Sequence, residues 1–184
     1  MSERYKIIDS SIPTFVTLTI VDWIDLFMRR RYMQVLDESL TYCIEHKGLK
    51  VHAYVYMTSH LHFIISSEGE ELQNILRDFK KFTSKKLIET IKEIPESRRE
   101  WLLDKFSFNA QVKERAKNYK VWQDGFHPVI LDNGSKISQR IKYIHDNPVE
   151  TGLVNHEKDW ANSSYLVYEE DGRCKPNFEI DKLY

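Results

Sequence analysis

Cysteine is almost missing from this chain. Only Cys43 and Cys174 occur among 184 residues, too few and too far apart for a disulfide framework or a thiolate metal site. That usage fits a reducing compartment. Long uncharged apolar runs are also missing: Met1-Ser2-Glu3-Arg4-Tyr5-Lys6 leads into none, and no later stretch reaches membrane-spanning length. A soluble, cytoplasmic protein with no membrane partner is therefore expected. A basic excess is the third absence. With 27 basic and 28 acidic residues the net charge is −1, which counts against a simple electrostatic nucleic-acid binder but leaves room for a local basic face. Internal repeats and low-complexity segments are absent as well. What remains, 41% hydrophobic and 30% charged residues, is the composition of a single ordinary globular domain.

Periodicity divides the chain into strands and helices. Thr14 to Val21 alternates and is rich in β-branched residues, as in a first strand. Met33, Val35, Leu36, Leu40 and Cys43 recur at helical spacing, and Gly48 stands where a C-terminal cap belongs. Val51, Ala53, Val55 and Met57 alternate with His52, Tyr54 and Tyr56, Thr58-Ser59 makes a tight connection, and His60 to Ser66 returns as a partner strand. On that strand Leu61, Phe63 and Ile65 share one face; His60, His62 and Ile64 share the other. A helix over Glu70–Lys92 buries Leu72, Ile75, Leu76, Phe79, Ile88 and Ile91, while Arg77, Lys80, Lys81, Ser84 and Lys85 line a different face.

Residues 94–120 are charged and mixed, an inserted arm with a helix near Glu100–Lys105. His127 to Leu131 reads as a short strand. A last helix starts at Ser135 as N-cap, buries Ile137, Ile141 and Ile144, and ends at Pro148. Residues 1–168 thus form one domain, and 169–184 a peripheral tail. Strand, helix, strand, strand, helix, strand, helix suggests an α+β fold of the ferredoxin-like kind, an antiparallel sheet with helices on one face and the histidines on the other.

Two features carry chemistry. His60 and His62 project to the same side of a strand, roughly 6.5–7 Å apart along the backbone, and two neutral imidazoles so placed can share a metal ion. Tyr143 and Asn147 stand one helical turn apart, about 80–120° around the helix from its core stripe. A metal site beside a helical tyrosine suggests phosphodiester chemistry with tyrosine as nucleophile. Singly, each residue has a blander reading: structural histidines, a packed or surface tyrosine, an Asn that ends a helix before Pro. The basic row on the second helix reads alone as a solvated face.

Three segments in order carry a resemblance: Tyr56-Met57-Thr58-Ser59-His60-Leu61-His62-Phe63-Ile64-Ile65, then Val121-Trp122-Gln123-Asp124-Gly125-Phe126-His127, then Tyr143-Ile144-His145-Asp146-Asn147-Pro148-Val149-Glu150-Thr151-Gly152-Leu153-Val154. Trp160 to Tyr165 adds a closing segment. Together they resemble the single-tyrosine HUH transposases (histidine, hydrophobic residue, histidine), and within that class the proteins associated with repetitive extragenic palindromes (REP). The likeness spans roughly residues 10 to 168. It implies His60 and His62 as metal ligands, Tyr143 as nucleophile and Asn147 at the position of a third ligand. It implies Mg²⁺ or Mn²⁺ as the ion, although two histidines also suit Zn²⁺.

The resemblance further implies a single-stranded, hairpin-containing DNA substrate, cut with a 5′-phosphotyrosine link and a free 3′ hydroxyl. On that reading Arg77, Lys80, Lys81 and Lys85 contact the DNA backbone, with Arg29-Arg30-Arg31 a weaker candidate. Insertion-sequence members act as homodimers, whereas REP-associated relatives include monomers. The alternative is a domesticated relative that binds DNA hairpins without cutting them.

Overall fold

The structure, a computed structural model, describes residues 7–113, 118–169 and 176–184. Residues 1–6, residues 114–117 near the end of the expected arm, and the stretch of tail that holds Cys174 lie outside the described residues. A four-stranded antiparallel sheet runs in the order β2-β3-β1-β4, with β1 at Thr14–Thr19, β2 at Leu49–Tyr56, β3 at His60–Ser67 and β4 at Val129–Ile130. The α+β fold with an antiparallel sheet read from the sequence is the one observed, but helices pack on both faces of the sheet, the histidine face included, and not on one. The central position of β3 explains its composition, since a strand covered on both faces needs apolar residues on both.

Leu61, Phe63 and Ile65 face a large core shared with Val16 and Leu18 of β1, with Ile20 just beyond that strand, and with helices α1 (Arg30–Lys47) and α2 (Leu72–Glu93). All six residues of the expected α2 stripe are buried. Gly48 ends α1 as expected. Its φ is +72°, and an added Cβ would stand 2.7 Å from the Gly69 nitrogen, so both the backbone twist and the close approach demand glycine.

The opposite face carries Phe15, Ala53, Val55, Met57 and Ile64, covered by Ile141 and Ile144 of α4 (Gly134–Glu150). Strict alternation puts Val51 with Ala53, but a β-bulge between them interrupts the register. Val51 therefore joins Tyr54 and Tyr56 in the large core, while Ala53, Val55 and Met57 turn toward α4. The start of α4 also differs by two residues: Asn133 is the N-cap, its side chain accepting from the Lys136 N–H at 3.0 Å, and Ser135 lies inside the first turn. Pro148 is tolerated within the last turn rather than ending the helix. Its carbonyl accepts from Leu153 N–H at 2.9 Å.

The inserted segment is part of the core. Helix α3 (Arg99–Lys113) buries Leu102 and Phe106 in the large cluster, and Ala110 is buried beside them. The link before it carries the buried Glu96, whose carboxylate accepts from Arg29 Nε and Tyr32 Oη, both at 2.9 Å. Burial alone would raise Glu96, but the Arg98 N–H, the Tyr32 hydroxyl and the Arg29 guanidinium hold it below the usual range.

The end of the chain is likewise attached. Phe178 is buried in the large core, and Asp181 N–H donates to Val51 O at 2.9 Å. With residues 162–164 it covers the outer edge of β2. No helix among the described residues is long and apolar enough to cross a membrane. Phe106→Ala is expected to lower unfolding free energy by about 3–5 kcal/mol. Denaturant titration distinguishes this from the near-zero change that a detached arm would give.

Candidate active site

His62 lies in the middle of the sheet, opposite Thr17 on β1 and Val55 on β2. Its Nδ1 shares a 2.9 Å hydrogen bond with the Thr17 hydroxyl, and the Nδ1 of His60 shares one of 3.2 Å with the Ser59 hydroxyl. These contacts occupy one nitrogen of each ring and leave Nε2 as the open one, as in metal-binding histidines steadied by a second partner. The rings stand 4.8 Å apart, centroid to centroid. Burial lowers the pKa of both, His62 to about 3 with further help from His60 and Arg140. Both imidazoles are therefore neutral at physiological pH, the form in which they donate to a metal.

Helix α4 carries Tyr143 over this pair. The tyrosine ring is 5.3 Å from the His62 ring and 5.8 Å from that of Phe15, which stacks on His62 at 5.2 Å. Ile141 and Ile144 set this placement by facing the sheet on either side of Tyr143 in sequence. Asn147 is buried one turn further along, and its side-chain amide makes no hydrogen bond among the described residues. No third histidine, cysteine or carboxylate joins the pair among them. The structure thus brings together His60, His62 and Tyr143, with Asn147 on the same helix.

The basic row fares differently. It lies on α2, across the sheet from the histidine face, where Arg77, Lys80, Lys81 and Ser84 line a cleft of about 310 Å³ with residues 119–124. This cleft borders β1, because residues 121–126 run along that strand's edge. Lys80 is no free cation. Its ammonium donates to the carbonyls of Gln123 at 2.5 Å and Gly125 at 2.8 Å, and burial lowers its pKa to about 8. Arg77 bonds Asp78 and Asn74, and Lys85 pairs with Glu89 at 3.9 Å. Lys81 is exposed. Within the other basic run, Arg29 is committed to Glu96.

Sequence reasoning missed Arg140, Phe15 and Trp23. Arg140 lies one turn before Tyr143, with its guanidinium carbon 4.8 Å from the centre of the Phe15 ring and 5.6 Å from that of Tyr143. It makes no ion pair among the described residues. Its i−3 spacing from the tyrosine was the available signal. Nothing local marks Phe15 or Trp23, whose proximity to the histidines arises from strand pairing and from a turn.

No protein-family model matches the sequence, and no curated protein matches it. Among solved structures, the chain is similar to a REP-associated tyrosine transposase bound to a REP hairpin. The TM-score is 0.66 at 18% identity, over 100% of this chain and 94% of that one. At such identity the likeness establishes the fold alone: this chain shares the fold of that transposase.

His145 also proves to be internal. Its Nε2 lies 2.9 Å from the Ser164 hydroxyl, which accepts from the Tyr54 N–H at 2.9 Å. Burial lowers its pKa to about 4. The unfolded chain protonates near 6.5, so acid favours unfolding: the contribution is complete above pH 6.5 and is lost as pH falls through about 4. A pH series of urea melts should show stability falling in that window, by roughly 3 kcal/mol for this group. His145→Gln should make the dependence shallower by that share, leaving the part due to His62, whose pKa burial also lowers.

Proposed function

We propose that this protein cleaves and rejoins single-stranded, hairpin-containing DNA, with Tyr143 as the nucleophile. The observation that carries the reading is the packing of the Tyr143 ring 5.3 Å from His62, itself 4.8 Å from His60, on a fold shared with a tyrosine transposase. That neighbour was solved with a REP hairpin, which supports a DNA hairpin as the partner here.

The phenolic oxygen of Tyr143 attacks the scissile phosphorus. A P–O bond to tyrosine forms, the P–O3′ bond breaks, the phenol gives up its proton, and the departing 3′ oxygen takes one up. The strand is left with a free 3′ hydroxyl and a 5′-phosphotyrosine, whose bond energy is conserved so that a 3′ hydroxyl can reverse the step without ATP. A free phenol has a pKa near 10, so help at the leaving group matters.

The donor set fits a divalent ion: two neutral imidazoles with Nε2 open, held by Thr17 and Ser59, and the unengaged Asn147 amide as third ligand. When bound, Mg²⁺ or Mn²⁺ supplies polarisation of the phosphate and of the leaving oxygen. Arg140 sets a permanent positive charge beside the phenol, where the phosphate must sit. Thr17 and Phe15 fix the tilt of His62.

Labelled single-stranded DNA from the flanks of the gene, incubated with Mg²⁺ or Mn²⁺ and run on a denaturing gel, tests the reading. A covalent adduct is expected, lost completely in Tyr143→Phe with DNA binding retained, and lost in His60→Ala and His62→Ala with the fold intact. An adduct that persists in Tyr143→Phe refutes the nucleophile assignment. Hairpin binding with no adduct under either ion would mark a binding protein instead.

A further inference from the structure

Trp23 is 59% exposed, unusual for so large an apolar side chain. Two other indoles of the chain are spent on structure. Trp122 is buried and donates its N–H to the Thr83 hydroxyl at 3.0 Å, and Trp160 donates to the Tyr56 carbonyl at 3.0 Å. The Trp23 indole N–H has no partner among the described residues. Its ring stands edge-on to His60 at 5.3 Å, at the end of a row of rings that continues through His62 to Tyr143.

The backbone beneath it is both strained and pinned. Asp22 and Trp23 have φ of +55° and +54°, a conformation non-glycine residues adopt only where surroundings impose it. Val21 N–H donates to Val121 O at 2.9 Å, and Phe27 N–H to Thr58 O at 2.9 Å. The Thr58 hydroxyl donates to the Asp25 carboxylate, and Arg98 donates to the Asp25 carbonyl at 3.0 Å. Asn109 of α3 reaches across to donate to Asp22 Oδ2 at 2.9 Å. A turn held on so many sides, in a conformation its residues resist, presents an indole that buries little. The rigidity serves presentation rather than packing.

Resting on the strand-cleaving reading above, we propose that Trp23 is the stacking platform for an unpaired nucleobase next to the scissile phosphate. Every base offers a π-face, so such a platform suits a single strand and is tolerant of sequence. It lies on the His60 side of the site while Arg140 lies on the Tyr143 side, which sets the course of the strand across the histidines. The α3 insertion acquires a role on this account, because Asn109 braces the platform.

The test uses the full chain with Tyr143→Phe, so that DNA stays intact, and EDTA, so that His60 as a ligand plays no part. Binding of the labelled flanking single strands is read by anisotropy. Trp23→Ala should weaken it about 5- to 150-fold, the range of one base–aromatic stack, and Trp23→Phe should restore most of the affinity. An abasic position walked along the strand should weaken binding at one site in the Tyr143→Phe protein and have no further effect there when Trp23→Ala is added. Equal affinities for the Trp23→Ala and Trp23 proteins, or an abasic profile unchanged by the substitution, overturn the platform while leaving strand cleavage standing. No DNA binding and no adduct by the parent protein would remove both.

Discussion

Ile141 and Ile144 of α4 bury themselves against Ala53, Val55 and Ile64, and this contact sets Tyr143 over His62. The large core on the other side of the sheet would form without it, since Leu61, Phe63 and Ile65 pack there against α1 and α2. The histidine face has a far smaller apolar cluster, and a single long helix covers it. Its incomplete cover leaves His60 partly accessible while His62 is 5% exposed. A second helix on this face would give a better-packed protein with its histidines sealed. The Ser164 hydroxyl adds a polar latch, tying His145 of α4 to the backbone of β2 at Tyr54.

Alternation in β3 was enough to assign its two faces, because a central strand buried on both sides obeys period two strictly. The α2 stripe was legible for the same reason: its apolar positions meet one flat surface. The reading failed where a local rule was overridden by contacts remote in sequence. The bulge after Val51 leaves no mark in an alternating run. There His52 bonds Ser66 and the Asp181 carbonyl, 129 positions away. Helix α3 reads as a charged arm because its apolar residues divide between buried Leu102 and Phe106 and exposed Trp101, Phe108 and Val112, and the turn it braces, at Asp22, lies 87 positions away. The tail at Phe178 was hidden likewise. At the site, the histidines and the tyrosine were visible through their spacing. Arg140 and Phe15 gain meaning only when β1 and α4 meet over His62.

The net charge of −1 matters less to a nucleic-acid partner than where the cations go. Lys80 caps backbone carbonyls, Arg29 is tied to buried Glu96, and Lys85 is paired, so a count of basic residues overstates what a phosphate backbone would meet. What the site offers is one guanidinium held over two rings. Cation–π contact orients the guanidinium without neutralising it, unlike a carboxylate partner, so its charge remains available to an anion.

Neutrality of the histidines has the same origin. Phe15 stacked on His62, and the sheet and α4 around it, remove water from the ring and drive its proton off. The imidazoles are then ready to donate to a metal without first losing a proton, at the expense of acid stability. The donors proposed for the ion, two imidazoles and the Asn147 amide, carry no charge. Each carboxylate in their place would cancel one unit of the ion's charge, and the attraction it exerts on a phosphate oxygen scales with what remains. In the proposed cleavage, negative charge would shift onto oxygens as the P–O3′ bond breaks and the phenol is deprotonated. A neutral donor set with one unpaired arginine beside it therefore concentrates positive potential where that charge develops. The apolar packing that positions Tyr143 is also what keeps the imidazoles neutral.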